Sequence, residues 1–140
     1  MATQADELIS RAYTARREGR TEEGLELYRR AAEELRPANN PLRLAHTVRH
    51  VADILREVHE PQQARVHYEE ALAIYRQHPE ASGLDVANCL RGYGLALEEL
   101  ANNEAAADSW REAKRLYEDA GTEAGVRESE ARLKRLTQAS

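Results

Sequence analysis

The chain contains no phenylalanine, one cysteine, four prolines and seven glycines in 140 residues. With no second thiol, Cys89 has no partner for an internal disulfide, which fits a reducing compartment. Valine and isoleucine are also scarce, so the usual builders of pleated sheet are missing. Alanine, glutamate, leucine and arginine dominate, the make-up of an all-helical (all-α) protein. No apolar run approaches the roughly 20 residues a membrane span needs, and the opening MATQADELIS lacks the apolar core of a signal peptide. A cytoplasmic chain with no membrane partner is expected. Bases are outnumbered, 20 against 25 acids, for a net charge of −5. A nucleic-acid backbone needs a concentrated basic face, so no nucleic-acid partner is expected. The length suits a single small domain over residues 1–140.

What is present is periodicity. In residues 41–77 the apolar positions Leu44, Val48, Val51, Ala52 and Leu55 recur at helical spacing. After His59-Glu60-Pro61 a second series follows at Ala64, Tyr68, Ala71, Leu72 and Tyr75. Two antiparallel helices are implied, crossing at Ala52 and Ala64, where small side chains let backbones approach and Tyr68 fills the space beside them. Caps and breakers extend this to seven helices. Thr3, answered by Asp6, caps the first, which breaks at Gly19; Thr21 caps the second, over about 22–36, ahead of Pro37. Asn40 with Pro41, and Glu60 with Pro61, open the third and fourth. The fifth spans about 84–101, Asn102-Asn103 turns the chain, and the sixth runs over about 104–120 to Gly121. Thr122 starts a seventh, to about 138.

The hairpin recurs. Ala12 leads after twelve residues to Gly24, then Tyr28 and Ala31; Ala52 leads to Ala64, Tyr68 and Ala71; Gly94 leads to Ala106, Trp110 and Ala113, always with the same gaps. From Tyr28 to Tyr68 is 40 residues and from Tyr68 to Trp110 is 42, so the hairpin is constant and its connection varies. The shared aromatic belongs in the core. This pattern of small residue, twelve-residue gap, small residue, aromatic and small residue resembles the tetratricopeptide repeat over about residues 5–120. The longer period, with His78-Pro79, Asp85-Val86-Ala87 and Leu90, is similar to the 40-to-42-residue variety of kinesin light chain type repeats. The resemblance implies a right-handed α-α superhelix (solenoid) of three helix-hairpin repeats, about 3–37, 41–78 and 83–120, whose first helices line a concave surface. The seventh helix, about 122–138, has one narrow edge, Val126, Ser129, Leu133 and Leu136, and is expected to be a C-terminal capping helix.

The resemblance further implies a non-enzymatic protein-protein interaction module that binds a peptide or protein segment in the groove. The free side of the first helices takes Asp6, Ile9, Tyr13 and Arg16, then His46, Arg49, His50, Asp53 and Arg56, then Asn88, Arg91, Leu95 and Glu98. Of these, Tyr13, Arg16, His46, Arg49, His50, Asp53, Asn88 and Arg91 are the candidate peptide-binding residues. Arg49 and Arg91 hold equivalent positions in adjacent repeats, and such guanidinium forks suit the carboxylates of an acidic segment. Alternatively, Arg49 pairs with Asp53 or Glu57 within its own turn. The convex side is expected to be acidic, with five acids against three bases in residues 22–36. His46 and His50, four apart with Asp53 beyond, have a spacing that can hold zinc. Without an HExxH glutamate or a clear third ligand, no metal is expected. No cofactor and no catalytic residue are expected either, since Cys89 has nothing to lower its pKa, the serines stand in no motif and there is no glycine-rich phosphate loop. His59 and His67 should face solvent. The alternative function is a homo-oligomeric structural or regulatory domain, a homodimer through Leu133 and Leu136 or one whose groove is filled by its own terminus or a neighbouring copy.

Overall fold

A computed structural model of the chain describes residues 2–138. Seven helices follow one another: α1 (Gln4–Arg17), α2 (Thr21–Leu35), α3 (Pro41–Glu57), α4 (Pro61–Arg76), α5 (Gly83–Glu99), α6 (Asn103–Ala120) and α7 (Glu123–Gln138). Among the described residues there is no strand. Each helix packs on the next, and α3 also touches α5. The architecture is a right-handed α-α superhelix of three hairpins ended by α7, with α1, α3 and α5 along the concave side.

The hairpins cross on small residues. A Cβ on Gly24 would lie 3.3 Å from the carbonyl oxygen of Ala12, and one on Gly94 would lie 2.8 Å from Nε1 of Trp110. Ala52 and Ala64 are wholly buried at the same place in the second hairpin. Beside the crossings Tyr28, Tyr68 and Trp110 take equivalent sites, none more than 1% exposed. The joints between hairpins are less uniform. His50 of α3 stacks on Tyr28, with centroids 5.0 Å apart and planes 7° from parallel. At the next joint the corresponding residue is Gly92, and a Cβ there would run into the hydroxyl end of Tyr68. Glycine is required because the tyrosine lies against bare backbone.

The turns inside the three hairpins share one geometry. Each passes through a left-handed residue, Gly19 (φ 80°), His59 (φ 65°) or Ala101 (φ 59°). The next amide then reaches back five residues, Arg20 to Ala15 at 2.8 Å, Glu60 to Leu55 at 2.8 Å and Asn102 to Leu97 at 2.9 Å. Those bonds satisfy carbonyls that a helix end would otherwise leave open. Gly121 (φ 71°) ends α6 in the same way.

The caps follow the sequence in part. Thr3 and Asp6 form a reciprocal capping box, and the Asn40 side chain accepts the Arg43 N–H at 3.3 Å. Thr21 does not cap α2: Arg20 holds the cap position, Thr21 is already helical, and no side chain closes that end. The tight turn at Gly19 delivers the chain into α2 one residue earlier than a side-chain cap at Thr21 would need. For the same reason α5 ends at Glu99, two residues short of the expected boundary, because Ala101 has already left the helical region. Along α7, Ser129 is buried while Val126, Leu133 and Leu136 lie half-buried against the core.

Candidate functional site

The concave faces of α3 and α5, with the end of α6 and the start of α7, enclose a cleft of about 500 Å³. Four of the expected site residues meet there: Arg49 and Asp53 from α3, Asn88 and Arg91 from α5. One-repeat spacing is what joins them, since Arg49 and Arg91 stand on equivalent turns of neighbouring first helices. Tyr117, Thr122, Ala124, Gly125 and Glu128 complete the lining and were not legible as site residues. Gly125 lies against the Tyr117 ring, with no room for a Cβ.

Most polar groups of the cleft are paired, while the buried Arg49 Nε has no hydrogen-bond partner among the described residues. Arg49 NH1 donates to Asp53 Oδ2 at 2.9 Å, both side chains being nearly buried, at 13% and 10% exposure. The Tyr68 hydroxyl donates to the other oxygen of Asp53, and Arg56 Nε donates to the Tyr68 oxygen at 3.2 Å. Asp53 is therefore a hub tying α3 to α4, set into the wall of the cleft with little of its side chain exposed. Burial, together with that carboxylate, pushes the Tyr68 phenol far above its ordinary pKa. Arg91 is bound in two-point fashion by Glu128 of α7, Nε at 2.5 Å and NH2 at 3.1 Å. The Tyr117 hydroxyl donates to Asn88 Oδ1 at 2.7 Å. The cleft thus holds two guanidiniums and two carboxylates.

The other four candidates lie apart from this cleft. Tyr13 is 54% exposed on α1 with the Arg17 guanidinium 5.6 Å above its ring. Arg16 crosses to α3, donating to both oxygens of Glu57 at 2.7 and 2.8 Å. Its NH1 also lies 3.5 Å from Nδ1 of His50. A guanidinium has only hydrogens to offer, so this Nδ1 accepts and the ring proton sits on Nε2. That Nε2 faces Nε2 of His46 at 3.1 Å, giving a directional chain from Arg16 through His50 to His46. A metal held between the two Nε2 atoms would require the His50 proton to move to Nδ1, against Arg16. Burial lowers both imidazoles, His50 down to about 3, with the nearby Arg49 charge adding to it. Among the described residues no three or more ligating side chains gather as a metal cluster.

Two further residues sit differently from the sequence expectation or define its limits. His67 is half-buried rather than solvent-facing, its Nδ1 is buried without a hydrogen-bond partner, and burial lowers its pKa. It lines a cleft of about 350 Å³ with Arg29 and Arg30 of α2 and Arg36 just beyond its end, so the convex side is not uniformly acidic. Cys89 is buried, its thiol pushed up to about 12 by burial, which makes it a packing residue and not a nucleophile.

The family profile of the tetratricopeptide repeat matches residues 6–77 and 43–119. The chain belongs to the tetratricopeptide repeat family. These repeats mediate protein–protein interaction and are a non-enzymatic scaffold. The fold is similar to that of the Sgt2 tetratricopeptide repeat domain from Aspergillus fumigatus, with a TM-score of 0.73 at 19% identity over 99% of this chain and 83% of that one. It is also similar to BtubC (BKLC) from P. vanneervenii, with a TM-score of 0.67 at 16% identity over 96% of this chain and 63% of that one. No curated protein matches the sequence. Among the described residues no helix is long and apolar enough to cross a membrane.

Proposed function

We propose that this tetratricopeptide repeat chain is a cytoplasmic interaction module that holds a peptide or protein segment in its concave groove, with an acidic side chain or terminus of that segment at the α3–α5–α7 cleft. The observation that supports it is the convergence of Arg49, Asn88 and Arg91 on one cleft from successive first helices. The fork of Arg91 already presents the side-on geometry a carboxylate takes. Tyr13, exposed on α1 at the far end of the same side, offers a flat apolar contact for another part of the segment. The 40- and 42-residue aromatic spacing supports assigning the repeats to the kinesin light chain-like variety. Assembly into a homodimer through α7 is the weaker reading, because Leu133 and Leu136 are engaged by this chain's own core.

The test is selection from a random-peptide phage library on the purified chain. Enrichment of acidic sequences whose binding perturbs the amide signals of residues 49, 88 and 91 supports the proposal. Enrichment of basic or purely apolar sequences, or of binders that perturb only α2, α4 and α6, contradicts it.

A further inference from the structure

We infer that Glu128 of α7 is a built-in occupant of the carboxylate position at Arg91, so that an acidic ligand binds this groove only by displacing it. The inference rests on the functional reading above and adds the competitor. Glu128 meets Nε and NH2 of Arg91 at 2.5 and 3.1 Å, the two-point contact through which an arginine receives a ligand's acid group. It does so from inside the cleft that would receive that ligand.

The charge balance points the same way. Arg49 and Arg91 face Asp53 and Glu128, so the cleft is neutral as it stands. A third carboxylate added on top of these four groups gains no net attraction. A carboxylate that replaces Glu128 restores neutrality and keeps the guanidinium satisfied. Of the two resident acids only Glu128 is free to leave. Asp53 is nine-tenths buried and takes the Tyr68 hydroxyl and the Arg49 guanidinium, while the Glu128 side chain is 30% exposed and, among the described residues, bonded to Arg91 alone.

Nor does release of Glu128 require α7 to leave. The helix is held separately by Arg132 on Glu98 at 3.1 Å, by Lys114 near Glu130 at 3.6 Å, and by Val126, Leu133 and Leu136 against the core. A rotamer change at one side chain opens the site. An internal partner of this kind lowers apparent affinity by the fraction of time it vacates the position. A partly exposed ion pair sets that penalty at about fivefold.

The experiment is a titration of the chain and of Glu128→Gln with N-acetylglutamate, following the Arg91 side-chain Nε–H by NMR, with far-UV circular dichroism to confirm that α7 stays helical. The expected result is binding about fivefold tighter to Glu128→Gln than to the parent, with Glu130→Gln matching the parent. Equal affinity for parent and Glu128→Gln overturns the competition while leaving the carboxylate site standing. No saturable binding to either protein overturns the carboxylate site and the competition with it. If Glu128→Gln loses helicity, Glu128→Asp, one methylene too short for the two-point contact, takes its place with the same expectations.

Discussion

The Tyr68 hydroxyl donates to the Asp53 carboxylate across the crossing of α3 and α4, and Arg49 holds the other oxygen of that carboxylate. One buried acid therefore fastens the concave helix of the second repeat to its convex partner. Tyr68→Phe should lower unfolding free energy by about 2 kcal/mol, since a hydrogen bond to a buried charge is lost with little change in packing. Urea denaturation at unchanged m checks it, and a loss under about 0.5 kcal/mol would remove Asp53 as the fastener.

Acid should loosen the structure in a defined window. The His50 pKa lies near 3 in the fold against an ordinary 6.5, so below pH 6.5 the unfolded chain takes up a proton that the folded one refuses. Stability from this source is complete above pH 6.5 and falls progressively toward pH 3, by roughly 2 kcal/mol at pH 5. His46, also lowered, adds to the fall. His50→Phe, which keeps a flat ring on Tyr28, should flatten the stability profile between pH 7 and 5. An unaltered slope would mean that His50 titrates normally in the folded protein.

Ala101 takes the left-handed turn position that Gly19 fills in the first hairpin. Ala101→Gly should raise stability by roughly 1 kcal/mol, relieving a backbone conformation that a Cβ disfavours, whereas Gly19→Ala should lower it by a similar amount. Thermal melting of both variants gives the sign of each.

Gly92 lies under the hydroxyl end of Tyr68, where a Cβ has no space. Gly92→Ala should destabilise by about 1 to 3 kcal/mol despite alanine's better helix propensity. A more stable variant would show that the α4–α5 joint yields enough to admit a methyl group.

The repeat was legible because it rests on packing that has a sequence signature. Small residues at 12, 24, 52, 64, 94 and 106 mark where backbones touch, and the aromatic that follows each pair fills the adjacent space. Seven helices and the role of α7 follow from this and from the caps. The groove's finer chemistry left no such signature. Nothing in sequence ties Arg91 to Glu128, 37 residues away on another helix, nor Arg16 to Glu57, because these pairs exist only once the repeats stack. Arg49 and Asp53, four apart, are readable from spacing as an ion pair, the alternative to a free arginine, and that is how they stand. What spacing could not show is their depth: at 13% and 10% exposure they are part of the wall, so Arg49→Glu would set a second carboxylate beside Asp53 and cost stability as well as binding. Tyr117 and Gly125 entered the cleft through tertiary packing alone.

The account's central claim is that the concave cleft around Arg91 receives an acidic group of a partner segment. Its most direct test is isothermal titration of an acidic peptide selected on the parent protein against Arg91→Gln, with Arg29→Gln on the convex side as control. Affinity at least tenfold weaker for Arg91→Gln, and unchanged for Arg29→Gln, is the predicted result. Equal affinity for parent and Arg91→Gln would contradict it.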